Sequence, residues 1–350
     1  MLNNTNNANI VEFSVETGVL LFDTKRNTII GFERRYEYLD SDLDYDLDYV
    51  CEDVKSYKIV IPETINGCEV KKIGNKSLCE LWQIEEIILP DTIKEIEERA
   101  FCYSDIKKIT IPKNVNKIGT QIFGGCRYLE NIYVDEENKY FSSYDGILYN
   151  KDMTELICCA QHNKCGETVI IPDGVKKICQ DAFMFTSIDE LILPNSVEVL
   201  EKWAFYKNYL FKIKLSSNIT KIEEACFLES QWLYSIEIPE GVVSIGDRAF
   251  GDCFKLKHIL IPKSVTKISE DAFEIATQWT TFIDNGDDED VLCWGKVRHI
   301  TAEEAEEEKE EVCVYIEKDS YAYKFAQNKK CYSSDNYWNI KDISSFPYKF

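Results

Sequence analysis

The side chains best spaced for chemistry are the thiols and imidazole of Cys158-Cys159-Ala-Gln-His162-Asn-Lys-Cys165. Thiolate and imidazole groups three residues apart can approach one tetrahedral ion, which makes Cys159, His162 and Cys165 the metal candidates. Two features weigh against a zinc site. The stretch reads as the outgoing strand of a hairpin, where alternation sends Cys158 and Cys159 to opposite faces. A structural zinc site also normally draws on a better-defined second pair of ligands. The expectation is therefore no metal and no cofactor, with metal binding through Cys158–Cys165 ranked third among the functions.

Carboxylates at every second position of DSDLDYDLD, residues 40–48, imitate a calcium loop. With Asp40 as first ligand, the sixth position is Tyr45 where the turn needs glycine, and the twelfth is Cys51 where a bidentate glutamate belongs. An acidic edge segment is the better reading. Catalysis has little to work with: His162, His258 and His299 are the only histidines, and none is tied to a nucleophile motif. There is no glycine-rich phosphate loop, no G-x-S-x-G elbow and no H-E-x-x-H. Acidic pairs such as Glu97-Glu98 and Glu223-Glu224 recur at one repeat position, as a solvated stripe does, so no enzyme is expected.

That repeat position belongs to a thirteen-residue phrase found seven times: LPDTIKEIEERAF from Leu89, IPKNVNKIGTQIF from Ile111, IPDGVKKICQDAF from Ile171, LPNSVEVLEKWAF from Leu193, LSSNITKIEEACF from Leu215, IPEGVVSIGDRAF from Ile238 and IPKSVTKISEDAF from Ile261. The starts lie 22, 60, 22, 22, 23 and 23 residues apart, and self-similarity at such a period means a solenoid. A short alternating strand precedes each phrase, as in Ile106 to Ile111, where Ile109 and Ile111 share one face. Seven of eight prolines end such strands, because proline fixes φ and has no N–H to extend the ladder. Each rung supplies about five apolar side chains, worth roughly 1.5 to 3 kcal/mol apiece when buried. One rung cannot cover that surface, so rungs must stack at roughly 4.8 Å into a parallel sheet. Nine rungs are countable, ending at Pro62, Pro90, Pro112, Asp135, Pro172, Pro194, Ser216, Pro239 and Pro262. The Ala-Phe site is expected to be a short helical or 3₁₀ turn, and Cys126, Cys226 and Cys253 to act as small buried hydrophobes.

The (I/L)P-x-x-V-x-x-I-x-x-x-A-F phrase, with Gly-Gly-Cys126 and Gly-Asp-Cys253 after two copies of the Phe, resembles the BspA-like, treponemal-type leucine-rich repeats over about Ile59 to Phe273. NKYFSSYDGILYNKDMTELICCAQ from Asn138 is similar to the hairpin that interrupts such arrays, and VYIEKDSYAYKFAQNKKC from Val314 to their terminal cap. The resemblance implies an α/β leucine-rich-repeat solenoid: a parallel β-sheet on one, concave, face, short helical turns on the other, and β-rich caps. It also implies adhesion or protein recognition. The expected parts are an N-terminal cap over 1–55, repeats over 56–273 interrupted by a hairpin at about 136–166, and a C-terminal cap over 274–350 carrying an acidic insertion at Glu303 to Glu311. Strands are expected at Ile10 to Phe13, Gly18 to Phe22, Thr28 to Phe32 and Val312 to Ile316, a small hairpin at Asn66-Gly67, and a short helix after Asp319-Ser320.

Solvent-facing positions of the sheet are those between its buried residues. The outer row runs Val60, Ile88, Thr110, Tyr133, Ile170, Ile192, Lys214, Glu237 and Leu260, and the inner row includes Lys58, Glu86, Lys108, Glu190, Lys212, Ser235 and His258. These rows change chemistry while the buried row does not, so Ile88, Thr110, Tyr133, Ile170, Ile192, Lys214, Glu237, His258 and Leu260 are the candidate ligand-binding residues. Aliphatic residues fill five of the nine outer positions, which fits a protein-binding patch, although such residues also favour strands for their own sake.

With 40 basic and 62 acidic residues the net charge is −22, which disfavours a nucleic-acid partner. No apolar run approaches the roughly 18 residues of a membrane span. The start MLNNTNNANIVEF lacks the basic and apolar regions of a secretory signal, and fourteen cysteines fit a reducing compartment. A cytoplasmic location is therefore expected, with a secreted or cell-surface location as the alternative. The leading function is a non-enzymatic module presenting its concave surface to a protein ligand; the alternative is an extracellular adhesin for host or matrix components. Oligomeric state is left open.

Overall fold

Proline and glycine punctuate a chain that coils as stacked rungs. The computed structural model describes residues 9–34, 57–160, 168–274, 313–316, 320–328 and 339–342. A regular rung starts with a strand such as Lys108–Ile111 and turns at the proline, whose carbonyl accepts the N–H of the apolar residue three positions on: Val115 from Pro112, Val197 from Pro194, Val242 from Pro239. It continues into a two-residue strand such as Lys117–Ile118. Where Ser216 replaces proline, its hydroxyl donates to the Val197 carbonyl at 2.6 Å and accepts the Asn218 N–H. A side chain there supplies part of what the pyrrolidine ring supplies elsewhere.

First strands pair parallel and in register. Asn131–Val134, Lys108–Ile111, Ile84–Ile88 and Tyr57–Val60 form one sheet, and Thr168–Ile170, Glu190–Ile192, Lys212–Lys214, Ser235–Glu237, His258–Ile261, Cys313–Ile316 and Asn339–Asp342 form another. Second strands form shorter ladders of their own, for example Lys72–Ile73, Glu95–Ile96 and Lys117–Ile118. At the N-terminal end, Ile10–Val15, Gly18–Asp23 and Thr28–Arg34 make an antiparallel meander whose last strand pairs parallel with Lys72–Ile73. Thr64–Ile65 and Cys68–Glu69 form the small hairpin, with Asn66 and Gly67 at φ 51° and 77°, the geometry a two-residue primed turn requires. The helix after Ser320 is Tyr321–Asn328.

The corners are not helical. In six of the seven phrases the residue before the Ala-Phe site has positive φ: Arg99, Gln121, Asp181, Trp203, Ala225 and Arg248 lie between 45° and 60°, and the residue four further on is positive again. Alternate N–H groups then point to the next rung, as in Phe101 to the Ile122 carbonyl at 3.0 Å and Tyr103 to the Gly124 carbonyl at 2.8 Å. Between them, Ala100 and Cys102 bond three residues back. A helical turn would satisfy its N–H groups within one rung; this alternation makes the corner a third intermolecular-like ladder between rungs, and that cross-rung bonding outweighs local helix propensity. Rungs approach closely here: a Cβ on Gly119 would sit 2.4 Å from the Glu98 nitrogen.

Inside, the phenylalanines stack along the axis. Phe183, Phe205, Phe227, Phe250 and Phe273 follow one another at 5.2, 4.8, 5.2 and 5.2 Å with near-parallel rings, and Phe101 lies 5.5 Å from Phe123. The interrupting hairpin, Phe141–Tyr144, Ile147–Asn150 and Glu155–Cys159, separates two apolar cores. Ile147 and Tyr149 pack into the C-terminal core and Leu148 into the N-terminal one, so the middle strand is a wall buried on both sides. Its last strand takes a second-strand place, pairing Glu155 with Lys177 and Leu156 with Ile178.

Candidate functional site

Strand alternation turns every second side chain of the long sheets outward, and six of the nine outer-row positions are exposed. Val60, Ile88, Tyr133 and Ile170 are 52%, 37%, 48% and 68% exposed; Thr110 and Lys214 are exposed, while Ile192, Glu237 and Leu260 are half-buried. The nine positions do not form one unbroken row. Asn131–Val134 and Thr168–Ile170 lie in different sheets, because the hairpin separates the rungs that carry them.

In the N-terminal sheet, Ile88, Thr110 and Tyr133 line a depression of about 570 Å³ together with Glu86, Lys108, Asp91 and Asp135. Register explains this: Lys108 pairs with Glu86 on one side and Asn131 on the other, and Thr110 sits beside Tyr133. Glu86 holds Lys58 at 3.2 Å and Lys108 at 3.6 Å, and Lys113 bridges Asp91 at 3.2 Å and Glu137 at 3.3 Å. The depression thus sets exposed apolar side chains beside ion-paired charges and Asp135. Such exposed pairs add little stability.

In the C-terminal sheet, Ile170, Ile192 and Lys214 stand on successive strands in register, as do Glu237 and Leu260. His258 lies beside Ser235 in register and tilts against the Tyr234 ring at 5.5 Å. Tyr234 in turn stacks on the half-exposed Phe211 at 5.5 Å. This aromatic run was missed in the sequence, where Phe211 and Tyr234 fall one residue before the positions read as the inner row. Their recurrence at equivalent places in neighbouring rungs, 23 residues apart, was the available signal.

Of the metal candidates, Cys159 is buried with its Sγ 3.4 Å from the Ala160 carbonyl, and His162 and Cys165 lie outside the described residues. Among the described residues no group of three His, Cys, Asp or Glu is arranged to hold a metal ion. Cys158 and Cys159 do part to opposite faces, one packing against each core. Residues 40–48 and 303–311 also lie outside the described residues. Cys126 and Cys253 are buried, and they are more than hydrophobes: their thiols donate to the Phe101 and Phe227 carbonyls of the preceding rung at 3.0 and 3.1 Å. Ser104 and Ser230 make the same bond to Leu78 and Phe205. Burial, the largest influence, pushes the thiols of Cys126, Cys226 and Cys253 far above the ordinary range, so they do not ionise near neutrality.

A family profile described as the BspA type leucine rich repeat region matches residues 48–166 and 157–279, in six copies. A leucine rich cell surface protein from Faecalibacterium prausnitzii is similar in structure, with TM-score 0.54 and 33% identity, over 61% of this chain and 56% of that one. The chain therefore spans little more than half of that protein's length. The pneumococcal vaccine antigen PcpA aligns over 96% of this chain and 98% of its own at 16% identity and TM-score 0.45. A leucine rich repeat protein of T. pallidum aligns over 75% and 85% at 16% identity and TM-score 0.29. A search of curated proteins finds no match. No helix among the described residues is long and apolar enough to cross a membrane.

Proposed function

The chain belongs to the BspA-type leucine-rich repeat family, and from that membership and its sheet surface we propose that it is a recognition module whose partner is a protein. The observation that carries this is the depression lined by Ile88, Thr110 and Tyr133, where apolar side chains remain exposed among charges most of which are ion-paired. Exposed apolar patches rimmed by polar groups mark protein-binding surfaces. Ile170, Ile192 and Lys214 extend the contact onto the second sheet, and Glu237, His258 and Leu260 form its far end. The scaffold is constant and the outward row variable, so partner choice resides in the row.

Similarity to the cell surface protein of Faecalibacterium prausnitzii favours a surface-associated setting over a cytoplasmic one, and so favours the adhesin version of protein recognition. No role for catalysis enters this reading. A crosslinking capture from surface and soluble fractions, comparing the natural chain with Tyr133→Glu/Ile170→Glu, tests it. A partner held by the natural chain and lost by an equally stable variant supports the sheet as the binding face. A partner held equally by both refutes it.

A further inference from the structure

At the interruption of the stack, a cavity of about 340 Å³ is lined both by one rung's corner, Ile118 to Gly124, and by a later rung's corner, Cys179 to Met184, with the hairpin forming a further wall. Ile122, Phe141, Ile157 and Met184 give it apolar sides; Gln121, Gln180 and Asp181 give it polar ones, with Asn150 and the Lys177-paired Glu155 and Glu201 also in the lining. Asp181 is only 5% exposed. Its Oδ2 accepts the Gln180 Nε2–H at 3.1 Å, whereas Oδ1 accepts no hydrogen bond among the described residues.

The repeat makes this carboxylate unusual. The long side chains at the equivalent corner position, Arg99, Gln121, Trp203 and Arg248, are half-exposed, and only the short Ala225 is buried, so the regular stack leaves a long side chain there in contact with water. At Asp181 the hairpin removes that water, and among the described residues no cation forms an ion pair with it; Arg99 acts on it only through space. Nearby cations face other groups: Arg99 donates to Gln121 Oε1 at 2.5 Å and lies 3.5 Å from Glu98, while Lys177 lies 3.0 Å from Glu155 and 3.5 Å from Glu201. Burial holds the Asp181 carboxyl above the ordinary carboxylate range, with the Gln121 and Gln180 amides and the more distant Arg99 pulling the other way.

A buried carboxylate oxygen with no partner is costly and is relieved by a cation that brings its own donors. A metal ion is poorly served. Cys158 and Cys179, which also line the cavity, are held protonated by burial, both pushed up to about 12, and the Glu155 and Glu201 carboxylates are shared by Lys177. An ammonium group has three donors, and a methylene stem behind it matches the apolar walls. We infer that this cavity binds a primary ammonium carried on a short hydrocarbon stem, with Asp181 as its counter-ion. The source is either a free alkylamine or a lysine side chain of a partner protein. The inference does not depend on the sheet face and stands if that reading fails.

Calorimetric titration of the full chain with n-pentylamine, Nα-acetyl-lysine N-methylamide, n-pentanol and pentanoate tests it. Saturable binding of pentylamine is expected, with the alcohol and the acid weaker by about tenfold or more. Asp181→Asn, close in shape, is expected to lose about tenfold or more of the amine affinity. Glu240→Gln, which removes the same charge from an exposed site, is expected to lose none; this separates the site from the general attraction of a chain of net charge −22. Binding of the lysine analogue alongside pentylamine identifies a protein lysine as a fitting source, and binding of pentylamine alone identifies a free amine. Absence of saturable amine binding, equal binding of pentanol, or unchanged affinity in Asp181→Asn overturns the proposal. The comparison of amine with alcohol uses the natural chain and so remains decisive if the variant does not fold.

Discussion

Phe205 lies between Phe183 and Phe227 with no exposed surface, so its removal leaves a cavity that neighbours in both directions cannot fill. Phe205→Ala is expected to cost about 3 to 5 kcal/mol, read as a lower denaturant midpoint; an unchanged midpoint would contradict the stacked core. Tyr149 behaves differently. Its ring is fully buried but its hydroxyl has no hydrogen-bond partner among the described residues, so Tyr149→Phe is expected to be neutral or to stabilise by about 1 kcal/mol. Thiol burial also has a sign. Raised folded pKa values, about 12 for Cys158 and Cys179, mean that the folded state keeps protons the unfolded state has lost above pH ~9, so stability is full below that pH and falls as pH rises toward 12. The denaturant midpoint should decline over that window, and less steeply in Cys179→Ser. The packing role of the cysteines was legible from their repeat positions. Their hydrogen bonds to the preceding rung were not, because only the stacked register shows which carbonyl lies within reach.

At the level of elements, strands, prolines and both hairpins could be read from periodicity, since apolar alternation and turn residues each have one physical interpretation. The corner had two. Acidic and amide residues before Ala-Phe suit a helical first turn, yet Arg99, Gln121, Asp181, Trp203, Ala225 and Arg248 adopt positive φ without being glycine. Their left-handed geometry is held by bonds to the next rung, an influence absent from a local reading. The close approach at the corner yields a paired prediction. Gly119→Ala places a methyl 2.4 Å from the Glu98 nitrogen and should cost about 1 to 3 kcal/mol. At Gly124 the nearest atom would be 3.4 Å away, and Gly124→Ala should leave the melting temperature close to that of the natural chain.

For the whole molecule, the repeat period disclosed the scaffold but not the consequence of breaking it. The 60-residue step from Ile111 to Ile171 announced an insertion; only the folded chain shows that it divides both the core and the outward row. The row itself was legible because alternation fixes which residues face out, whereas the grouping of Ile88, Thr110 and Tyr133 around one depression depends on register. A net charge of −22 should also make association with a basic protein partner slow markedly as salt is raised, with a smaller effect on dissociation; a salt-independent association rate would exclude steering. The most direct test of the recognition face is amide hydrogen exchange of the captured complex against the free chain. Protection is predicted along 84–88, 108–111, 131–134 and 168–170, with the corners at 97–103 and 201–207 unchanged. Protection confined to the corners, with the sheets unaffected, would contradict it.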